Sequence, residues 1–227
     1  MLKHRKVFEY IMEAGVKLEA KSSTVAAAVV ICYKFLNRMP PEESSVCPYT
    51  IGAACLYLAG KVEEDMLKIR DVTNVCYRVI NPNKPPIEVD EDYWNLREGV
   101  GRLEYLVLRT MGFQLQLVHP HKFLLHYLVT LKHWLSPSAW ERSPLAETAW
   151  TLLRDAYARP DWVTAHSPQT VAIICLNLAL RIHSVDFPLA PEWYRILHSE
   201  MTSKKLITLS KELLCKLYEE QSADPRG

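Results

Sequence analysis

The chain has 227 residues and a mass of 26.1 kDa, enough for one large or two small domains with a substantial core. Hydrophobic residues at 49% and charged residues at 23% exclude wholesale disorder and a fibrous repeat. Residues 1–117 carry 15 basic against 15 acidic side chains and residues 118–227 carry 12 against 11; neither half has the basic excess that phosphate neutralisation demands, which places nucleic acid second among partners.

Proline placement segments the chain. The fourteen prolines leave proline-free stretches at 1–39, 49–81, 87–119, 121–136, 145–159, 169–187 and 192–224. A proline inside a helix removes a hydrogen bond and clashes with the preceding turn, and apolar residues three and four apart in most of these stretches predict helices. Seven glycines and the absence of Asn-Gly and Asp-Gly pairs argue against many β-hairpins, so the predicted fold is all-α. In chain order, the apolar run Ile51 to Gly60 is about half the ~20 residues that a membrane span needs. Residues Asn81 to Glu88 hold three prolines and read as an ordered or semi-rigid loop. Tyr93, Leu96, Val100, Leu103 and Val107 then share a helical face, with Asp90 and Asp92 at its positive end. Ser136-Pro137, Ser143-Pro144 and Ser167-Pro168 each offer a serine cap followed by proline at the first helical position. Leu206, Leu209, Leu213 and Leu217 mark a last helix, and the tail 222–227 is expected to fray.

An internal repeat underlies this order. At an offset of 120, residues 50–64 lie over residues 170–184 with identities at five of fifteen positions, Thr50, Cys55, Leu56, Leu58 and Ala59 in the first copy. Both segments are apolar nearly all round, as a central helix enclosed by others would be. The pattern predicts a duplicated bundle with its boundary near Gln116 to Pro120.

Two places in the first copy break local rules. Lys61, Glu63, Glu64 and Asp65 follow the apolar run without a turn signal, and acids at a helix C-terminus oppose the dipole by about 0.3–1 kcal/mol each. The second copy has His183 and Ser184 there, whereas a purely structural motif is expected in both. Glu104 stands among Leu103, Leu106, Val107 and Leu108 and needs a partner near an apolar face, for which Lys61 is the natural candidate if the two helices are neighbours.

Catalytic and metal signals are sparse. The six cysteines form no C-x-x-C pair, and Cys32, Cys55 and Cys175 sit in apolar runs, so a reducing compartment and no zinc site are expected. No nucleophile elbow, zincin, P-loop or dinucleotide motif occurs; no catalytic residue, no metal site and no cofactor is expected. His119 and His121 flank a helix start two residues apart, which suits capping or packing better than ligation. Trp94, Trp134, Trp140, Trp150, Trp162 and Trp193 are scattered as packing residues are.

These residues resemble the cyclins. Leu58-Ala-Gly-Lys-Val-Glu-Glu64 is similar to the A-S-K-x-E-E signature of the cyclin box, and Leu103 to Phe113 is similar to its E-x-x-V/L-L-x-x-L-x-F helix. His119-Pro-His-Lys122 resembles the opening of the second half in transcription-type cyclins of the L and K types. Residues 12–18, 57–64, 124–129 and 148–155 are most similar to the cyclin-Q (cyclin-M) branch. The resemblance implies two tandem five-helix cyclin boxes, a kinase-binding box over 1–117 and a second over 118–221.

The resemblance also implies a non-catalytic activator that forms a heterodimer with a cyclin-dependent kinase, of the cyclin-dependent kinase 10 type. Carried over by position, Lys61 and Glu104 hold the backbone around the kinase C-helix. Leu58, Val62 and Phe113 then supply the apolar contact, with Glu63 and Glu64 beside it. An intracellular chain, nuclear or cytoplasmic or both, is expected, with no membrane and no direct nucleic-acid partner. The departures have implications too. The chain begins almost at the first box helix, so the segment with which many cyclins also touch their kinase is expected to be short or missing. His4-Arg-Lys-Val-Phe8 and Ile11 replace the M-R-A-I-L patch and its tryptophan, which implies no docking of R-x-L substrates. Gly60 takes the place of the usual serine or alanine, a small change compatible with close packing. The rival reading is a cyclin-box protein that resembles a general transcription factor and binds DNA together with a DNA-bound factor; it calls for basic faces.

Overall fold

The computed structural model describes residues 4–39, 46–185 and 192–218. Among the described residues there are twelve α-helices and no strand, and no helix is long and apolar enough to cross a membrane. The chain divides into two compact units between Leu117 and Val118.

The first unit holds α1 (Arg5–Lys17), α2 (Ser22–Arg38), α3 (Pro48–Val62), α4 (Ile69–Ile80) and α5 (Glu91–Thr110). Helix α3 starts with Pro48 in its first turn, where the missing N–H costs nothing. It is enclosed by α1, α2, α4 and α5, and all of Ile51 to Gly60 except Tyr57 is buried. Small side chains make that enclosure possible: a Cβ on Gly52 would stand 3.1 Å from the Tyr10 ring. The proline-free stretch 1–39 is two helices because Glu19 turns left-handed, at φ 55°, and Ala20 N–H closes back on the Gly15 carbonyl at 3.0 Å. No glycine or proline marks that break. Asp90 caps α5 by accepting the Tyr93 N–H at 3.1 Å, a bond of about 1 kcal/mol.

The second unit holds α6 (Pro120–Trp134), α7 (Pro137–Arg142), α8 (Leu145–Ala156), α9 (Pro160–Ala165), α10 (Pro168–Ile182), α11 (Tyr194–Leu197) and α12 (Ser203–Tyr218). Its central helix is α10, which packs on α6, α8 and α12 and is buried without interruption from Thr170 to Leu180. Helices α3 and α10 cover 48–62 and 168–182, the same span displaced by 120 residues. The five-helix plan appears here as α6, α8, α10, α11 and α12, with the fourth member reduced to one turn. Helices α7 and α9, six residues each, are additional; each starts at a proline inside what would otherwise be a connection.

Ser136 and Ser167 cap α7 and α10 by accepting the N–H groups of Ala139 and Thr170, both at 3.3 Å. Ser143 does not cap α8, contrary to the dipeptide signal. Pro144 lies outside the helix at ψ 53° and is itself the capping position, while Ser143 closes α7. The Pro144 carbonyl takes the Thr148 N–H at 3.0 Å and its hydroxyl at 2.9 Å. Leu206, Leu209 and Leu213 are buried as the spacing predicts, with Leu217 half-buried. The tail 222–227 lies outside the described residues. All six cysteines are free thiols; Cys32, Cys55, Cys76 and Cys175 are buried, Cys47 and Cys215 exposed.

Candidate partner-binding site

Lys61 lies in the last turn of α3, and α3 packs along α5. Its ammonium stands 2.6 Å from one Glu104 carboxylate oxygen and 2.9 Å from the other. The Glu104 side chain is 8% exposed and that of Lys61 51%, so the carboxylate is sunk into the helix interface while its counter-charge reaches the surface. A buried carboxylate without a partner would be strongly unfavourable; the pairing satisfies that requirement. The Lys61 ammonium also sits 4.3 Å above the Tyr57 ring. Partial burial alone would lower the Lys61 pKa, but the hydrogen bond and charge of Glu104, assisted by Tyr57, outweigh it and hold the amine above its ordinary value.

The acids after Lys61 separate. Helix α3 ends at Val62; Glu63 is the capping residue, with its N–H on the Ala59 carbonyl at 2.9 Å, and Glu64 is left-handed at φ 51°. Asp65 N–H then closes on the Gly60 carbonyl at 2.8 Å. This turn carries the Asp65 side chain to the start of α2. There one oxygen accepts the Lys21 N–H and the Thr24 hydroxyl, both at 2.8 Å. Asp65 therefore does not oppose the α3 dipole as the linear pattern suggests; it complements the positive end of α2. Glu63 is half-buried and Glu64 exposed. Gly60 is tighter than the expectation of a small tolerated change: a Cβ there would lie 2.9 Å from the Asp65 carbonyl oxygen and 3.0 Å from Leu67. Alanine would push the turn away.

The apolar members differ from expectation in one case. Leu58 is 3% exposed and part of the core, so it supports the surface from beneath and cannot line it. Val62 is half-buried against the same core. Phe113 is 75% exposed. It follows α5 with Gly112 at φ 59° and Phe113 itself at φ 61°, and its N–H closes on the Leu108 carbonyl at 3.0 Å. An exposed aromatic in a left-handed position is unfavourable twice, by hydration and by about 1–2 kcal/mol of backbone strain. Sequence reasoning passed over Met66 and Tyr105, which are 94% and 74% exposed. The available signals were that Tyr105 falls off the buried face of α5 and that Met66 lies beyond the end of α3.

The His119-Pro-His121 signature resolves as packing. His119 precedes α6 without a side-chain cap. The His121 ring stacks on Tyr157 at 5.7 Å and meets Trp150 edge-on at 5.3 Å, and burial, with the nearby His119, pushes its pKa down to about 4.

Comparison with known proteins bears on the family and the fold. A family model described as the cyclin N-terminal domain matches residues 2–116. Cyclin-L2 of Homo sapiens is 29% identical over 221 residues, covering 95% of this chain and 40% of that protein. Cyclin-L1 of Gallus gallus is also 29% identical over 221 residues, covering 95% and 39%. Cyclin-T1-5 of Arabidopsis thaliana is 29% identical over 217 residues, covering 93% and 35%. The chain thus spans about two fifths or less of the length of these relatives. Among solved structures, a chain in the crystal structure of the yeast RNA polymerase II CTD kinase complex CTDK-1 superposes with a TM-score of 0.68 at 19% identity, over 92% of this chain and 63% of that one, a likeness of fold.

Proposed function

The chain belongs to the cyclin family, and from that membership we propose that it is the non-catalytic subunit of a heterodimer with a cyclin-dependent serine/threonine kinase. The observation that carries this reading is the half-exposed Lys61 ammonium fixed on a buried Glu104. Two of the ammonium hydrogens serve the Glu104 oxygens, Tyr57 flanks the group, and its solvent-exposed side is offered to a backbone carbonyl of a partner helix end. Val62 and the exposed ring of Phe113 supply the apolar contact, with Glu63 and Glu64 beside them. Leu58 braces the site from the core.

An active kinase needs its C-helix glutamate paired with the lysine of its third strand. A subunit that binds the helix-in state better than the helix-out state shifts the population toward activity by its differential affinity. The interface belongs to the larger class, roughly 2,000 Å² or more of total buried surface. Within the family the proposal extends to the cyclin-Q branch, to a kinase of the cyclin-dependent kinase 10 type, and to a nuclear or cytoplasmic setting; the motifs shared with that branch support it.

The test is retention of kinases from a cell extract on the wild-type chain and on Lys61→Ala/Glu104→Ala, with phosphoryl transfer measured on the retained fraction. One active kinase held by the wild type and reduced at least tenfold in the variant, at an unchanged helical spectrum, is expected. No retained kinase, or equal retention by both chains, overturns the proposal.

A further inference from the structure

The second unit contains a counterpart of the Lys61–Glu104 surface from which the carboxylate is missing. At the offset of 120, Lys61 corresponds to Arg181 and Tyr57 to Asn177. On the flanking helix the buried positions Val100, Glu104 and Val107 of α5 match Leu206, Ser210 and Leu213 of α12 at a constant displacement of 106. Glu104 is therefore replaced by Ser210, whose hydroxyl accepts the Asn177 amide at 3.0 Å inside the core. Arg181 is exposed, and among the described residues its guanidinium has no hydrogen-bond or ion-pair partner.

Arg181 lines a groove of about 480 Å³ walled by Trp193, Tyr194, Leu206 and Ile207, with Asn177 at its buried side, and it is the only charged side chain among the described residues lining it. Lys204 and Lys205 are exposed in the first turn of α12, and the acid nearest in the chain to Trp193, Glu192, is neutralised by Arg195 at 2.8 Å. A lone guanidinium with five donors is suited to a carboxylate. The volume and the indole and aliphatic walls exceed what a bare anion needs and match an acidic side chain with an apolar neighbour.

We propose that this groove docks a linear segment of a partner protein in which an acidic residue is followed by an aliphatic one, the carboxylate completing with Arg181 the pair that Glu104 completes within the first unit. The inference is independent of the kinase-activator reading, since none of its residues belongs to the first unit.

The probe is a fluorescein-labelled hexapeptide of alternating Glu and Leu, compared with its Gln-Leu analogue by fluorescence polarisation on the full chain at 0.15 M salt, where long-range attraction is screened. The acidic peptide is expected to bind about tenfold tighter than the neutral one, the effect of one charge-assisted pair. Arg181→Gln should abolish that difference and Arg181→Lys retain part of it. In ¹⁵N spectra the acidic peptide should shift amides of 177–185 and 203–207. Ser210→Glu, which restores a carboxylate to the unit, should weaken the peptide as well; Arg181→Gln, at an exposed position, keeps the test valid if that variant is poorly folded. Equal affinity for the two peptides, indifference to Arg181→Gln, or complete displacement by low-millimolar inorganic phosphate would overturn the proposal.

Discussion

The C-terminal ends of α3 and α10 have nearly the same backbone and different chemistry. Glu63 and His183 have φ, ψ of −92°, 11° and −90°, 4°, and Glu64 and Ser184 turn left-handed at φ 51° and 50°. Asp65 N–H closes on the Gly60 carbonyl at 2.8 Å, and Val185 N–H on the Leu180 carbonyl at 3.0 Å. On this shared turn the first unit carries an ion pair across to α5, whereas the second carries an arginine with no partner among the described residues and a neutral Asn177–Ser210 bond. The turn is a property of the fold, needed to satisfy the last helix carbonyls. The side chains are free to diverge, so their divergence marks where the two units do different work.

The largest test of the contrast is the removal of one cation from each unit. Lys61→Ala leaves the Glu104 carboxylate buried and uncompensated, and is expected to lower the stability of the first unit by about 2–4 kcal/mol. Arg181→Ala removes an exposed group and should cost less than about 0.5 kcal/mol. Lys61→Ala/Glu104→Leu should recover most of the loss, because no lone charge then remains in the interface. Urea unfolding of the four chains checks this. Equal costs at Lys61 and Arg181 would mean that the ion pair does not distinguish the units.

Acid separates the units in another way. His121 is held neutral in the second unit with a pKa of about 4, against 6.5 for the free side chain. Between those values the unfolded chain binds a proton that the folded chain refuses, so stability falls as pH drops from 6.5 to 4. Below that the loss is complete, at about 3 kcal/mol; above 6.5 it is absent. His166, also lowered chiefly by burial, acts in the same direction. The first unit holds a single histidine, His4, which is not deeply buried. Lowering the pH through this window should therefore destabilise the second unit selectively, and His121→Phe should flatten most of the slope of unfolding free energy against pH. An unchanged slope in that variant would remove His121 from the account.

What could be read in the sequence is what depends on periodicity and on local caps. The five positions from Tyr93 to Val107 on one face of α5, the proline starts of α7 and α10, and the displacement of 120 residues between the central helices all follow from side-chain type and spacing along the chain. The Lys61–Glu104 pair was legible because a carboxylate on an apolar face demands a counter-charge. The missed features depend on where the chain returns in space. Asp65 looked like a third acid on α3 because its partners, Lys21 and Thr24, lie more than forty residues away. Leu58 was placed at the surface because motif position says nothing about which face of an almost wholly buried helix it occupies. Arg181 passed unnoticed because its significance lies in what faces it, a serine where the first unit has a glutamate.

The smallest expected effect concerns two of the exposed left-handed positions, Phe113 in the first unit and Ser184 in the second. Glycine adopts φ near +60° without the clash that a Cβ brings, so Phe113→Gly and Ser184→Gly should each stabilise by about 0.5–1 kcal/mol, less whatever the freer unfolded chain takes back. Folding thus gives the same answer at both sites, since neither exposed side chain is needed for the core. Partner binding should not. If Phe113 is kept for its ring, Phe113→Gly lowers kinase retention severalfold while thermal stability holds or rises, and Ser184→Gly leaves retention unchanged. Loss of retention in both variants would assign it to the stiffness of the turns, and loss in neither would make the exposed ring of Phe113 an unexplained cost. The combination of raised stability and lowered retention is the signature of a residue held in strain for a contact outside its own fold.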